Sequence, residues 1–151
     1  MLDLHLRHLR KILIHKWYVF IECCKLGVPW QGIVHDLSKF TPAEWKAYVL
    51  HFYAYQEHEP QWVVDAFSAA WNHHQKQNPH HFEYWILLWR GKPDETLPMP
   101  DRYRREMLAD WRGASRAYSG NDDVASWYLR RRDEIRLHPE TRAWIEGQLG
   151  I

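Results

Sequence analysis

Helix-start signals recur along this chain, and nothing in it reads as a sheet. The clearest is Thr41-Pro42-Ala43-Glu44. It offers a hydroxyl residue to cap, a proline where a missing N–H is no loss, and a glutamate placed to close a capping box. Pro29, Pro60, Pro79 and Pro139 stand where other segments open. There is no sustained period-two alternation and no Asn-Gly or Asp-Gly hairpin signal. The expected fold is all-α. A chain of 151 residues, 46% of them apolar, is most simply one domain with a real core.

The first helix is predicted from Asp3 to Lys25 or Leu26, on the helical spacing of Leu4, Leu9, Ile12, Leu13, Val19 and Phe20. Gly27 and Pro29 end it. A short helix from Pro29 carries Ile33, Val34, His35, Asp36 and Leu37. The next starts at Thr41 and carries Trp45, Tyr48, Val49 and Phe52. After a loop at 55–60, a helix runs from Pro60 to His74. Asn78 is read as a cap and Pro79 as the first position of a helix with Tyr84, Trp85 and Leu88. Residues 91–100 are rich in breakers and read as a surface loop, one able to close over a site. Helices follow at about 100–117, 123–136 and 140–149.

The charge balance gives no strong signal for a polyanionic partner. There are 20 basic and 19 acidic residues, so neither nucleic acid nor an anionic membrane is demanded. The clusters Arg102, Arg104, Arg105 and Arg130–Arg132 read as solvated helix faces. Cys23 and Cys24 are adjacent and cannot make an ordinary disulfide, which fits a reducing compartment. No apolar stretch approaches the roughly 20 residues of a membrane span. The first 20 residues are too charged and histidine-rich for a signal peptide. The expectation is a soluble, cytoplasmic protein; a homo-oligomer is left open. Ten tryptophans and eight tyrosines make the core unusually aromatic, and such rings also suit a pocket for a flat ligand.

The chemistry lies in histidines and aspartates. His35-Asp36 sits in an apolar setting, "GIVHDL", where a carboxylate is costly unless it is paired or bound to a cation. The plain structural reading is a salt bridge to Lys39; the functional one is a metal. His15 lies upstream, His73, His74, His80 and His81 lie in "HHQKQNPHH", and Asp110 follows in "EMLADW" with Glu106 one turn before it. One main ligand is expected from His73/His74, and one or two from His80/His81. Of Glu106 and Asp110, one completes the set and the other orients a water or an imidazole. Nitrogen and oxygen ligands without thiolate suit one or two ions of manganese, iron, zinc or magnesium. His5, His51, His58 and His138 show no partner pattern and read as surface or satisfied residues.

These residues resemble the HD-domain superfamily. Its all-α members gather a His, a His-Asp pair and a distant Asp around a metal, and two-metal members add histidines between. The matching positions are His15, His35, Asp36, His74 with His80 or His81, and Asp110. "HDLSK" resembles the version of the motif in which a lysine contacts the substrate, a role that falls to Lys39. "HDLSKF.P.E", "NPHHFEYW", "MP..Y..EMLADW" and "LHPETR" are similar to a small uncharacterised HD-like family of bacteria and their viruses. No "GYP" segment is present, which departs from the cyclic-dinucleotide phosphodiesterases. The resemblance implies a metal-dependent phosphohydrolase acting on a nucleotide or related phosphoester. Lys39, Asp36 and Glu106 are then the catalytic candidates, and Trp85 or Trp111 the rings to stack on a base. The alternatives are a di-iron oxygenase on the same scaffold and a non-catalytic metal-stabilised module that binds a nucleotide or protein.

Overall fold

The computed structural model describes residues 2–55 and 58–151, so part of the loop predicted at 55–60 lies outside the described residues. The helices are α1 (Leu2–Lys25), α2 (Pro29–Val34), α3 (Pro42–Val49), α4 (Gln61–Gln77), α5 (Asp101–Ala114), α6 (Val124–Arg131) and α7 (Pro139–Leu149). Single 3-10 turns form at Leu37–Phe40 and Phe82–Trp85, and π-helical turns at Leu50–Ala54 and Ser115–Ser119 prolong α3 and α5. A small antiparallel hairpin pairs β1 (Ile86–Leu87) with β2 (Glu95–Thr96). The fold is all-α, as expected.

Helix α1 packs against both α2 and α5, and a glycine sets each contact. A Cβ on Gly113 of α5 would lie 2.6 Å from Val19 Cγ2 and 2.8 Å from the Val19 backbone nitrogen. A Cβ on Gly32 of α2 would lie 2.8 Å from Phe20 Cα. Only glycine permits so close a backbone approach. Val19 is one turn from His15, and Gly113 and Gly32 are each three residues from Asp110 and His35. The helix contacts therefore position the candidate ligands. Beyond α5, Met107, Leu108, Tyr128 and Ile145 are fully buried and form the main core with Met99, Ile135 and Leu137. Each such side chain contributes roughly 1.5–3 kcal/mol.

Several local expectations change. His35 and Asp36 are not helical: α2 ends at Val34, and Asp36 takes a left-handed conformation at φ 55°. The helix expected from Pro79 does not form. Asn78 ends α4 instead, its side-chain amide donating to His74 O (2.8 Å) and Ser38 Oγ (2.7 Å). Leu97 N donates to Trp85 O (2.9 Å), so the returning strand takes a carbonyl that a continuing helix would need. The hairpin leaves no signal in the sequence, because each strand is two residues long and its long loop turns at Gly91 (φ 73°) rather than at a two-residue turn. The loop at 91–100 contacts Arg136 through Asp94 and Thr141 through Met99 N, rather than closing over the histidines.

Other readings are met directly. Both cysteines are free; Cys23 is buried and Cys24 exposed. Burial pushes the Cys23 thiol up to about 12, which makes it unreactive. His5 accepts from Trp45 Nε1, His51 pairs with Glu59, His138 caps α7, and His58 is exposed. No helix among the described residues is long and apolar enough to cross a membrane.

Candidate metal centre

The centre is built around the turn at His35-Asp36. Asp36 is the one non-glycine residue with positive φ among the described residues. Aspartate tolerates this region better than most residues. Lys16, on α1, holds the turn in place. Its ammonium donates to the carbonyl of His35 and to that of Ile33 (3.2 Å). Neighbours on a helix point about 100° apart. Breaking the helix here lets His35 and Asp36 converge instead, with His35 Nε2 3.3 Å from Asp36 Oδ2.

Two groups of donors share Asp36. In the first, His15 Nε2 lies 3.1 Å from Asp110 Oδ1, 3.3 Å from His35 Nε2 and 3.8 Å from Asp36 Oδ2. In the second, Asp36 Oδ1 lies 3.3 Å from His74 Nε2 and 3.4 Å from His80 Nε2. His81 joins these three, all four donor atoms lying within 4.8 Å of one another. Asp110 also makes a group of its own with His35 (3.5 Å) and His80 (3.9 Å), which links the other two.

Carboxylates stand behind the imidazoles. Glu106 Oε1 lies 3.1 Å from both His35 Nδ1 and His80 Nδ1, while its Oε2 accepts from Gln31 (3.2 Å). Glu44, fully buried on α3, places Oε2 2.9 Å from His74 Nδ1 and Oε1 2.8 Å from His73 Nδ1. With Nδ1 fixed from behind, Nε2 of His35, His74 and His80 faces the centre. Metal-ligating histidines are oriented in this way. The forward atoms are short of partners: Asp36 Oδ1 and Nε2 of His74, His80 and His81 are buried with no hydrogen bond. An unpaired buried polar atom costs about 1–3 kcal/mol. A cation among them would satisfy them all, so the residues present fit a divalent metal.

The electrostatics point the same way. Burial alone would raise the Asp36 carboxyl, but the charges of His35 and Lys39 hold it well below the usual range. Burial likewise opposes ionisation of Asp110, and hydrogen bonds from His15 and His35 overcome it. Glu106, pushed up by burial but drawn down by His35 and His80, falls to about 2. Burial works against the charged His35, yet Asp36, Asp110 and Glu106 lift it well above the ordinary value. The cluster thus concentrates ionised carboxylates that attract positive charge, here partly met by Lys39 Nζ, 2.5 Å from Asp36 Oδ2.

A cleft of about 470 Å³ opens above Lys39, walled by Tyr48, Phe52, Tyr53, Phe67, Trp71 and Tyr118. It shares walls with the cluster: Trp71 stacks on His74 at 5.5 Å between ring centres, and Tyr118 on His15 at 5.7 Å. Arg116 clamps buried Glu22 of α1 at 2.6 Å and so fixes the turn that carries Tyr118. Trp85 and Trp111, the rings singled out in the sequence, pack against the main core instead.

The structure brings His15, His35, Asp36, His74, His80, His81, Asp110, Glu106 and Lys39 together. His73 reaches only the back of the cluster, through Glu44. Asp110 does not pair with Arg105 or Arg112, which turn to Asp101 and Glu22. Glu44 is the residue of the cluster that the local sequence pattern does not reveal. It reads as part of a capping box, yet Thr41 Oγ1 donates to Ser38 O (2.6 Å) and Glu44 serves two histidines. Its register held the signal: Glu44 precedes buried Tyr48 by four residues, on the inward face of the helix. No curated protein and no solved structure matches this chain. Residues 4–151 match a family of unknown function (DUF5662), and the chain belongs to that family.

Proposed function

We propose that the protein is a metal-dependent phosphohydrolase of the HD type, acting on a nucleotide or related phosphoester. One observation carries the reading. The two oxygens of Asp36 face different donor groups, so this one carboxylate could serve both, and the cleft above Lys39 opens beside them. His15, His35, Asp36 and Asp110 would hold one divalent ion, and Asp36, His74, His80 and His81 a second. The many imidazoles favour a transition ion over magnesium. Such a pair, when bound, lowers the pKa of water and stabilises charge on phosphoryl oxygens. Glu106 and Glu44 act as positioning residues that fix the imidazole tautomers. Lys39 is the catalytic residue of the chain that would touch substrate, holding a phosphoryl oxygen as a point charge.

Lys39→Ala should separate its two roles. With metal bound, the variant should keep its metal content while kcat/KM falls by about 10²–10³, the loss expected for one charge-stabilising donor. Without metal, it should melt earlier than wild type, because Asp36 loses its partner. Wild-type kinetics on the true substrate would refute the substrate role. Glu44→Gln should weaken the second ion about 10–100-fold and spare the first, as loss of an outer carboxylate does elsewhere. Competitive metal titration reads that difference.

The function itself is tested by loading the protein with manganese, iron, zinc or magnesium and screening nucleotides and simple phosphoesters for phosphate release. Release that disappears in Asp36→Ala supports the reading. A metal-loaded protein inert on every ester would end it, and oxygen consumption by the iron form would point to the oxygenase chemistry instead.

A further inference from the structure

The cleft above Lys39 has a make-up that the hydrolase reading does not use. Both π-helical turns deliver rings to it: Phe52 and Tyr53 from Leu50–Ala54, and Tyr118 from Ser115–Ser119. A π-turn inserts a residue into a helix, re-aims the side chains around it and occurs frequently at functional sites. Here two such distortions, far apart in sequence, converge on one space. Among the described residues, the charged side chains lining that space are lysines, Lys39 at the floor and Lys11 at the mouth, and no described carboxylate lines it. Lys11 Nζ lies 4.9 Å over the Tyr118 ring and the Arg7 guanidinium 5.4 Å over that of Tyr53, so the rim is cationic. Two polar groups in the inner wall are unsatisfied: buried His8, 4% exposed, has no hydrogen-bond partner at Nε2, and the buried Tyr48 hydroxyl has none either. Burial, with the charges of Lys39 and His5, pushes this imidazole down to about 4, so it is neutral near pH 7.

We propose that this cleft recognises an anionic ester whose organic part is a flat, uncharged ring, with the anion at Lys39 and Lys11, the ring among Tyr53, Trp71 and Tyr118, and His8 as the polar contact to the ring edge. The inference rests on the hydrolase reading only for where the phosphoryl group sits. Rings on several sides favour a planar body, because stacking gains contact with little conformational loss. A sugar phosphate would leave those apolar walls in water. The volume, about 470 Å³, falls in the range of about 300–1,000 Å³ usual for small-molecule sites. A polyanionic chain would need a longer basic track than two lysines provide.

The test uses phosphonates, whose C–P bond is not hydrolysed, and the manganese-loaded full chain. Benzylphosphonate and methylphosphonate carry the same anion with and without a ring. Calorimetry should show benzylphosphonate binding at least about tenfold tighter, in line with stacking on an aromatic platform. Tyr53→Ala should remove most of that advantage and Tyr53→Phe should keep it, while Lys11→Ala should weaken both ligands alike. His8→Leu should weaken an adenosine phosphonate but not benzylphosphonate, whose ring edge has nothing polar to offer. Equal affinities for the benzyl and methyl ligands would overturn the inference, as would an advantage that survives Tyr53→Ala. The two readings fail separately. Benzyl-selective binding with no ester hydrolysed would sink the hydrolase and keep the cleft. Hydrolysis of glycerol phosphate as efficient as that of phenyl phosphate would sink the cleft and keep the hydrolase.

Discussion

Asp36→Ala should leave the chain unable to hold metal. Asp36 is the residue both donor groups share, with Oδ2 toward His15 and His35 and Oδ1 toward His74 and His80. Losing an outer-shell partner typically costs 10–100-fold in affinity; losing a shared ligand should cost more than about 100-fold at each position. The fold suffers as well. Lys39 would be left without the carboxylate 2.5 Å away, and breaking a buried pair from one side costs about 3–5 kcal/mol. Alanine at φ 55° adds roughly 1–2 kcal/mol of left-handed strain. Asp36→Asn separates these effects, since asparagine accepts the left-handed turn but not the metal. It should melt above Asp36→Ala and still bind nothing. Elemental analysis beside a thermal melt checks both, and a folded Asp36→Ala protein with wild-type metal content would refute the assignment.

Gly113→Ala should destabilise the fold and loosen the first donor group, although it adds only one methyl. The added methyl meets the Val19 backbone nitrogen at 2.8 Å and its Cγ2 at 2.6 Å. Backbone cannot rotate aside, so α1 and α5 must separate. Overpacking of this kind costs roughly 1–3 kcal/mol, a fall in Tm of roughly 2–12 °C for a chain of this size. The same shift pulls His15 away from Asp110, now 3.1 Å apart, and should weaken the first ion. Gly147→Ala is the control: it is helical and its Cβ meets nothing within 4 Å, so its stability should stay the same or rise slightly. Equal melting of the two variants would show that the α1–α5 contact is not tight.

The parts legible in the sequence were those governed by local rules. Pro42 and Pro139 open helices, Gly27 ends one at φ 75°, and the helical spacing of apolar positions marked α1 to within a residue at each end. The histidines and aspartates of the cluster were legible because buried charge demands an explanation wherever it occurs in an apolar run. What failed was decided by tertiary contacts. The side chain of Asn78 could cap a new helix or bond His74 and Ser38; packing of α4 against the 3-10 turn chose the latter. Glu44 satisfied a local rule so well that its burial went unread. Trp71 and Tyr118 could not be told from core tryptophans and tyrosines, because the π-turn that aims Tyr118 leaves no mark in the residue pattern.

The most direct measurement is the number of ions bound per chain. Protein purified without chelator, saturated with manganese or iron and freed of excess, should carry two ions in the wild type. His74→Ala should carry one, because the first group of His15, His35, Asp36 and Asp110 does not use that side chain. A wild-type protein that takes no more than one ion at saturation would contradict the proposal that both donor groups around Asp36 hold an ion.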